Sequence, residues 1–240
     1  MTGLAVALVF LLAGFVKGVI GLGLPTVAVG LLGLFMTPVQ AVALLVVPSL
    51  VTNVWQLLAG PTFLPLIRRL WPMLLGFGIG TWAAALALGA DAGAQAGRLL
   101  GIALVAYALV GLSRKRFSVS PARERWMSPL VGAVTGLIAT ATGVFVVPAV
   151  PYLQALNLEK EELVQALGLS FTVSTIGLAA VLMAQGNFQP SLAGASLASL
   201  IPALGGMFLG QWVRGRIRAE TFRLLFFIGL LLLGAHLALR

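Results

Sequence analysis

The stretch AGFVKGVIGLGLPT, residues 13–26, places an ammonium group, several glycines and a proline inside an otherwise apolar run. Of the chain's 15 lysines and arginines, Lys17 is the one that lies well inside an apolar segment. A charge within the bilayer is expensive, and it persists where it faces a partner or a water-filled cavity. Glycine costs a helix about 1 kcal/mol and proline about 3 kcal/mol, so Gly21, Gly23 and Pro25 mark an interruption. Backbone groups freed by the interruption must be buried in protein or line a cavity. The second piece of an interrupted helix presents unpaired N–H groups and the positive end of its dipole, both of which attract anions. The chemistry these residues can do is recognition of a small anion near the bilayer midplane, by Lys17 and opposed helix ends.

A second weakened stretch, ATATGVFVVP at 139–148, ends in Gly143 and Pro148. Thr26, Ser49, Thr52 and Asn53 can add donors from the first half of the chain, and Thr140, Thr142, Ser170 and Ser174 from the second. Each hydroxyl has a competing use in bonding back to its own helix. The four-residue spacing of Gly14/Gly18 and Gly76/Gly80 also suits close helix packing. For Lys17 the competing reading is snorkelling to the inner interface from a short, tilted helix. With a first helix starting near Thr2, Lys17 lies about 22 Å along it at 1.5 Å per residue, too deep for snorkelling outward.

The six carboxylates, Asp91, Glu124, Glu159, Glu161, Glu162 and Glu220, all lie in or beside the connections between apolar segments. An intramembrane acid of the kind proton and sodium pumps use has no candidate. In a proton-coupled cycle Lys17 would carry the proton. The alternative is uniport down the membrane potential, which favours export of an anion from a negative interior. The single histidine, His236, sits near the end of the last segment, where an interfacial role is expected. No nucleophile–base pair can be assembled for catalysis. With no cysteine and no cluster of other ligands, no metal or cofactor is expected. The NLEKEEL run at 157–163 reads as a helix start, with glutamates suited to the first turn.

These groups need a frame, and the composition supplies its class. The chain has 240 residues, 60% hydrophobic and 9% charged, with a mean hydropathy of +1.08. Soluble domains carry about 25% charged residues, and a bilayer is spanned by about 20 apolar residues. The expectation is one all-α polytopic bundle over residues 1–240. The net charge of +9 sits mostly in short connections, which is a topology signal and not a nucleic-acid footprint. No basic region precedes the first apolar run, so that run is expected to stay as a span and not be cleaved.

The chain also repeats itself. GFVKG at 14–18 returns as GAVTG at 132–136, 118 residues on. Val39-Gln40-Ala41 and Ser49 return as Val164-Gln165-Ala166 and Ser174, 125 on. Pro72, Gly76, Gly80 and Trp82 return as Pro202, Gly206, Gly210 and Trp212, 130 on. Each half reads as five segments, roughly 3–22, 25–36, 38–59, 70–89 and 97–113, then 128–142, 144–157, 162–185, 191–213 and 221–239. The first two of each half are short, as a pair of spans or as half-helices that enter and return. The repeats are 1–113 and 128–240, joined by a basic connection at 114–127.

Charge suggests that the second copy is inverted. Arg68 and Arg69 lie near the third-to-fourth junction of the first half, and the matching stretch at 185–191 is uncharged. Arg214, Arg216, Arg218 and Arg223 cluster in the second half, where the first has Asp91 with Arg98 just beyond. The central connection holds Arg114, Lys115, Arg116, Arg123 and Arg125. Five segments per half place these three basic regions on one side, the cytoplasmic one, with both termini outside. Inverted repeats with interrupted helices recur in secondary transporters.

GFVKGVIGLGLP followed by TPVQAVALLVVPSLVTNVWQ, and GAVTGLIATATGVFVVP followed by VQALGLSFTVSTIG, resemble the duplicated core of the TauE/SafE sulfite exporter family over nearly the whole chain. The glycine-rich turn of that family is present in part as Gly21-Leu22-Gly23, and the second copy departs further. The resemblance implies a multi-pass protein of the inner membrane that exports small anions such as sulfite, organosulfonates or carboxylates. Its partners would be the anion and the bilayer, with a homodimer left open. The competing reading is a membrane scaffold or assembly protein with no transport path.

Overall fold

The computed structural model describes residues 3–88, 93–113, 118–187 and 190–239. Asp91, Arg114, Lys115 and Arg116, which entered the charge reading, lie outside the described residues, as do residues 188–189 of the uncharged stretch. The described residues form ten helices and no strand: α1 Gly3–Ile20, α2 Leu24–Leu32, α3 Pro38–Leu58, α4 Phe63–Leu88, α5 Gly93–Leu112, α6 Pro121–Thr142, α7 Ala149–Ala155, α8 Lys160–Ala184, α9 Pro190–Arg214 and α10 Ala219–Ala238. Seven of them, α1, α3, α4, α5, α8, α9 and α10, are long and apolar enough to cross a membrane. All five tryptophans, Trp55, Trp71, Trp82, Trp126 and Trp212, are on the outside, as suits rings that sit at a bilayer interface.

Three boundaries differ from the sequence reading. In each half only the second element of the first pair is short. α1 and α6 have 18 and 22 residues, whereas α2 and α7 have nine and seven. Nine residues of helix rise about 14 Å, under half of a core about 30 Å thick. α6 begins at Pro121, seven residues before the apolar run, because proline suits a first helical turn and Glu124 in that turn complements the dipole. Its charged start, Arg123-Glu124-Arg125, leaves it outside the seven apolar spans. α4 likewise begins at Phe63, so Arg68 and Arg69 lie within its second turn and not in a connection.

The breaks have local causes. Gly21 closes the last turn of α1 by donating its N–H to Lys17 O at 2.8 Å. Gly21 and Gly23 then take φ of 79° and 105°, the left-handed region open to glycine, and Pro25 starts α2. Gly143 ends α6 at φ 75°, with its N–H on Ala139 O. Val144 N–H donates to Thr142 Oγ1 at 3.1 Å, and the chain stays non-helical until α7. α3 opens with a reciprocal cap between Thr37 and Gln40, and α8 with one between Glu159 and Glu162, so the glutamate run does begin a helix.

Packing places α3 and α8 at the centre: 67% and 61% of these spans are buried, against 28–39% for the other five. α1 lies along α9, α4 along α6, and α5 along α10. Glycine sets the first two contacts. A methyl at Gly14 would lie 2.1 Å from Ala203 O, and one at Gly18 would lie 2.2 Å from Met207 O. Shifting each residue to its partner in the other half gives Gly132 at 1.9 Å from Met73 O and Gly136 at 2.4 Å from Phe77 O. From the facing helices, Gly76 and Gly80 meet Pro129 O and Ala133 O, while Gly206 and Gly210 meet Leu11 O and Phe15 O. One set of backbone contacts is thus made twice, at the offsets of 118 and 130 seen in the sequence. The first helix of each half packs on the fourth helix of the other.

Candidate functional site

Lys17 lies in the last turn of α1, four residues before the left-handed Gly21, and is 4% exposed. Its Nζ donates to Thr52 Oγ1 at 3.2 Å and to Asn53 Oδ1. Both acceptors are neutral and both come from α3, 35 and 36 residues along the chain from Lys17. Among the described residues the ion pair found is Arg69 with Glu124, so no carboxylate there neutralises Lys17. An ammonium taken out of water costs several kcal/mol unless it is paired. Two neutral oxygens solvate it without cancelling its charge.

Asn53 extends the network. Its Nδ2 donates to Ser49 Oγ at 2.9 Å and, at the longer distance of 3.5 Å, to Thr175 Oγ1 on α8. The Ser49 and Thr175 oxygens are 3.1 Å apart. Thr52 donates its own proton to Pro48 O at 2.7 Å, which leaves a lone pair for Lys17. Ser49, Thr52 and Asn53 are each 0% exposed. A continuous row therefore runs from the end of α1 through α3 to α8, with the Lys17 nitrogen at one end. Beside it, a space of about 10 Å³ lined by Val42, Leu45, Val46, Phe145, Thr175 and Leu178 is about the volume of one water probe.

Among the described residues, no other sequence candidate hydrogen-bonds Lys17 Nζ. Thr26 is fully buried in the first turn of α2, and its hydroxyl has no hydrogen-bond partner among the described residues. Thr140 donates to Gly136 O at 2.9 Å and, more weakly, to Thr81 O on α4. Thr142 donates to Ile138 O and caps the end of α6. Ser170 and Ser174 are buried on α8, but the α8 hydroxyl bonded to Ser49 belongs to Thr175. Gly21, Gly23 and Pro25 form the α1–α2 break, and Gly143 and Pro148 bound the α6–α7 break.

Two glutamines were not singled out by the sequence reading. Gln56 Nε2 donates to Gly21 O at 3.0 Å and to Val164 O at 2.9 Å, tying the α1–α2 break to the start of α8. Gln165 Nε2 donates to Leu57 O and Gly60 O, and its Oε1 accepts from Thr62 N–H and Oγ1. The signal was available: both are amides inside apolar segments, where an unpaired amide costs several kcal/mol. Thr175 had no such signal, since it is one of several hydroxyls on α8.

Comparison with known proteins bears on what this frame is. Neither curated proteins nor solved structures gave a match. The family model described as "Sulfite exporter TauE/SafE" matches residues 6–237, nearly the whole chain. That family is one of membrane transporters and not of enzymes, in keeping with seven helices long and apolar enough to span a bilayer. On this match over almost its full length, the chain belongs to the TauE/SafE sulfite exporter family.

Proposed function

We propose that this exporter binds its anion, whether sulfite, an organosulfonate or a small carboxylate, at Lys17, near the bilayer midplane. The observation that carries the reading is the buried Lys17 ammonium, held by Thr52 and Asn53 and paired with no carboxylate among the described residues. An anion reaching Nζ supplies the missing countercharge, which neutral oxygens cannot do. Ser49, Thr52 and Asn53 then act as polar ligands, and Thr26, with its unbonded hydroxyl at the start of α2, adds a donor beside the helix end. Ser170 and Ser174 serve from the second half, joined by Thr140 and Thr142 when their hydroxyls exchange Gly136 O and Ile138 O for the anion.

The membrane arrangement is part of the same proposal. The halves 1–113 and 128–240 are inverted copies around a basic connection at 114–127. The basic ends of α4, α6 and α10 face the cytoplasm, and both termini lie outside the inner membrane. The twice-made glycine contacts support a two-fold relation between halves. Alternating access would move one pair of swapped helices, α1 with α9 or α4 with α6, against the α3–α8 centre.

Flux measured in proteoliposomes tests this. Lys17→Met keeps the length of the side chain and removes the charge. Sulfite and methanesulfonate flux should fall at least about 100-fold, since the lost attraction is of the order of a buried charge pair. A folded Lys17→Met protein that carries both anions at the normal rate removes Lys17 from the site.

A further inference from the structure

Pro48 sits inside α3, one residue before Ser49. Proline has no N–H, so the carbonyl four residues back loses its helical partner, and that carbonyl is Leu44 O. Ser196, on α9, fills the gap: its Oγ donates to Leu44 O at 2.8 Å. The same oxygen accepts the N–H of Val47 at 3.1 Å. One hydroxyl from the second half of the chain therefore meets both the carbonyl that Pro48 leaves without its helical partner and the N–H of the residue before Pro48, and it is 0% exposed. Deep in a membrane protein, neighbouring serines are among the groups that can re-satisfy backbone freed by proline.

The placement reaches further than the turn before Pro48. The residues that follow Pro48 on the next turn are Ser49, Thr52 and Asn53, the α3 side of the Lys17 network. The Lys17 side is held by the same helix α9, because Gly14 and Gly18 of α1 seat on Ala203 O and Met207 O. Ser196, Ala203 and Met207 are spaced by seven and four residues, one face of a helix. α9 thus holds α1 by its backbone and α3 by one hydroxyl.

We propose that Ser196 is a positioning residue for anion transport: by bonding Leu44 O and Val47 N–H in the turn that Pro48 leaves short of a hydrogen bond, it fixes where α3 carries Ser49, Thr52 and Asn53 relative to Lys17. The inference rests on the reading of Lys17 as the anion site. Ser196 touches no anion itself. It acts through the angle of α3, and its role exists because residue 48 is proline. An alanine at 48 restores the N–H to Leu44 O and makes the bridge redundant.

The test is a double-mutant cycle on the full chain in proteoliposomes, with sulfite as the probe. Ser196→Ala should lower flux about five- to tenfold, the weight of one buried hydrogen bond. Ser196→Thr, which keeps the hydroxyl, should stay within about twofold of wild type. In a Pro48→Ala background Ser196→Ala should change flux less than about twofold. Amide exchange of the α3 peptide over 42–50 supplies a readout independent of transport, faster in Ser196→Ala and unchanged by it in Pro48→Ala. Should Ser196→Ala fail to fold, Ser196→Cys runs the same cycle with a weaker donor. Effects of the two substitutions that simply multiply, in flux or in exchange, overturn the proposal, as does wild-type flux in Ser196→Ala. Failure of the Lys17 reading shows separately, as wild-type flux in Lys17→Met.

Discussion

Asn53 turns its carbonyl oxygen to the Lys17 ammonium and its amide nitrogen to the Ser49 hydroxyl. A single side chain thus joins the charged end of the network to its neutral end. In the proposed reading, that carbonyl carries only a partial charge and so leaves the countercharge of Lys17 to an anion.

Asn53→Asp tests that demand directly. The substitution has nearly the same shape and places a full negative charge at the Lys17 contact. The buried ammonium then has a resident partner, and sulfite flux should fall about as far as in Lys17→Met. Folding should be kept, since a paired buried charge is better off than an unpaired one. Proteoliposome flux and a thermal melt in detergent read the two effects, and normal flux in Asn53→Asp sinks the countercharge argument.

Ser49 and Thr175 share a hydrogen bond at 3.1 Å between α3 and α8. Removing one partner leaves the other hydroxyl short of a bond, and removing both also takes away the two side-chain acceptors of the buried Asn53 Nδ2. Ser49→Ala and Thr175→Val should each destabilise the protein by about 1–2 kcal/mol, and the double variant, which leaves Asn53 Nδ2 without either acceptor, by more than their sum. Melting temperatures of the four proteins decide it. Strict additivity would show that the two hydroxyls act independently.

The glycine seams make a paired prediction. Alanine at Gly132 or Gly14 puts a methyl about 2 Å from a carbonyl oxygen of the facing helix, and backbone has to move. Either substitution should cost about 1–3 kcal/mol from overpacking. Gly78 and Gly205 sit in the same helices as seam residues but have nothing within 4 Å. Alanine there should be neutral or stabilising by up to about 1 kcal/mol. Equal behaviour of the two classes in thermal melts would remove the seams as determinants of packing.

Reporter fusions test the inversion. A reporter placed after Gly60, ahead of the basic start of α4, should report the cytoplasm, and one after Gln185, in the uncharged counterpart, the outside. Both on one side would refute the inverted arrangement.

Much of this molecule was legible as a string of residues. The mean hydropathy of +1.08 and the 9% charge leave too little polar surface for a water-facing domain, so a helical membrane bundle follows from solvation alone. The offsets of 118 and 130 are local facts about residue spacing, and the twice-made seams follow them. The break at Gly21-Leu22-Gly23-Pro25 was equally plain, because backbone conformation there is set by residues adjacent in the chain. Boundaries were harder where charge and helix coexist. Arg69 and Glu124 read as connection residues, yet both lie on helices and pair at 2.7 Å, since a helix can extend beyond the apolar slab into the interface.

What the sequence by itself determined, then, is the class of solvent, the recurring residue spacings that the glycine seams follow, the places where helices break and the presence of one lysine inside a span. Only the tertiary structure decided which groups meet that lysine. Thr175 in place of its neighbour Ser174, Gln56 on Gly21 O and Ser196 on Leu44 O are all choices among chemically similar residues. The physical reason is helical rotation: one residue along α8 turns a side chain by about 100°, and only the approach of a second helix says which direction faces inward. Propensity and spacing act along the chain, whereas a hydrogen bond between residues 49 and 175 depends on the packing of α3 on α8.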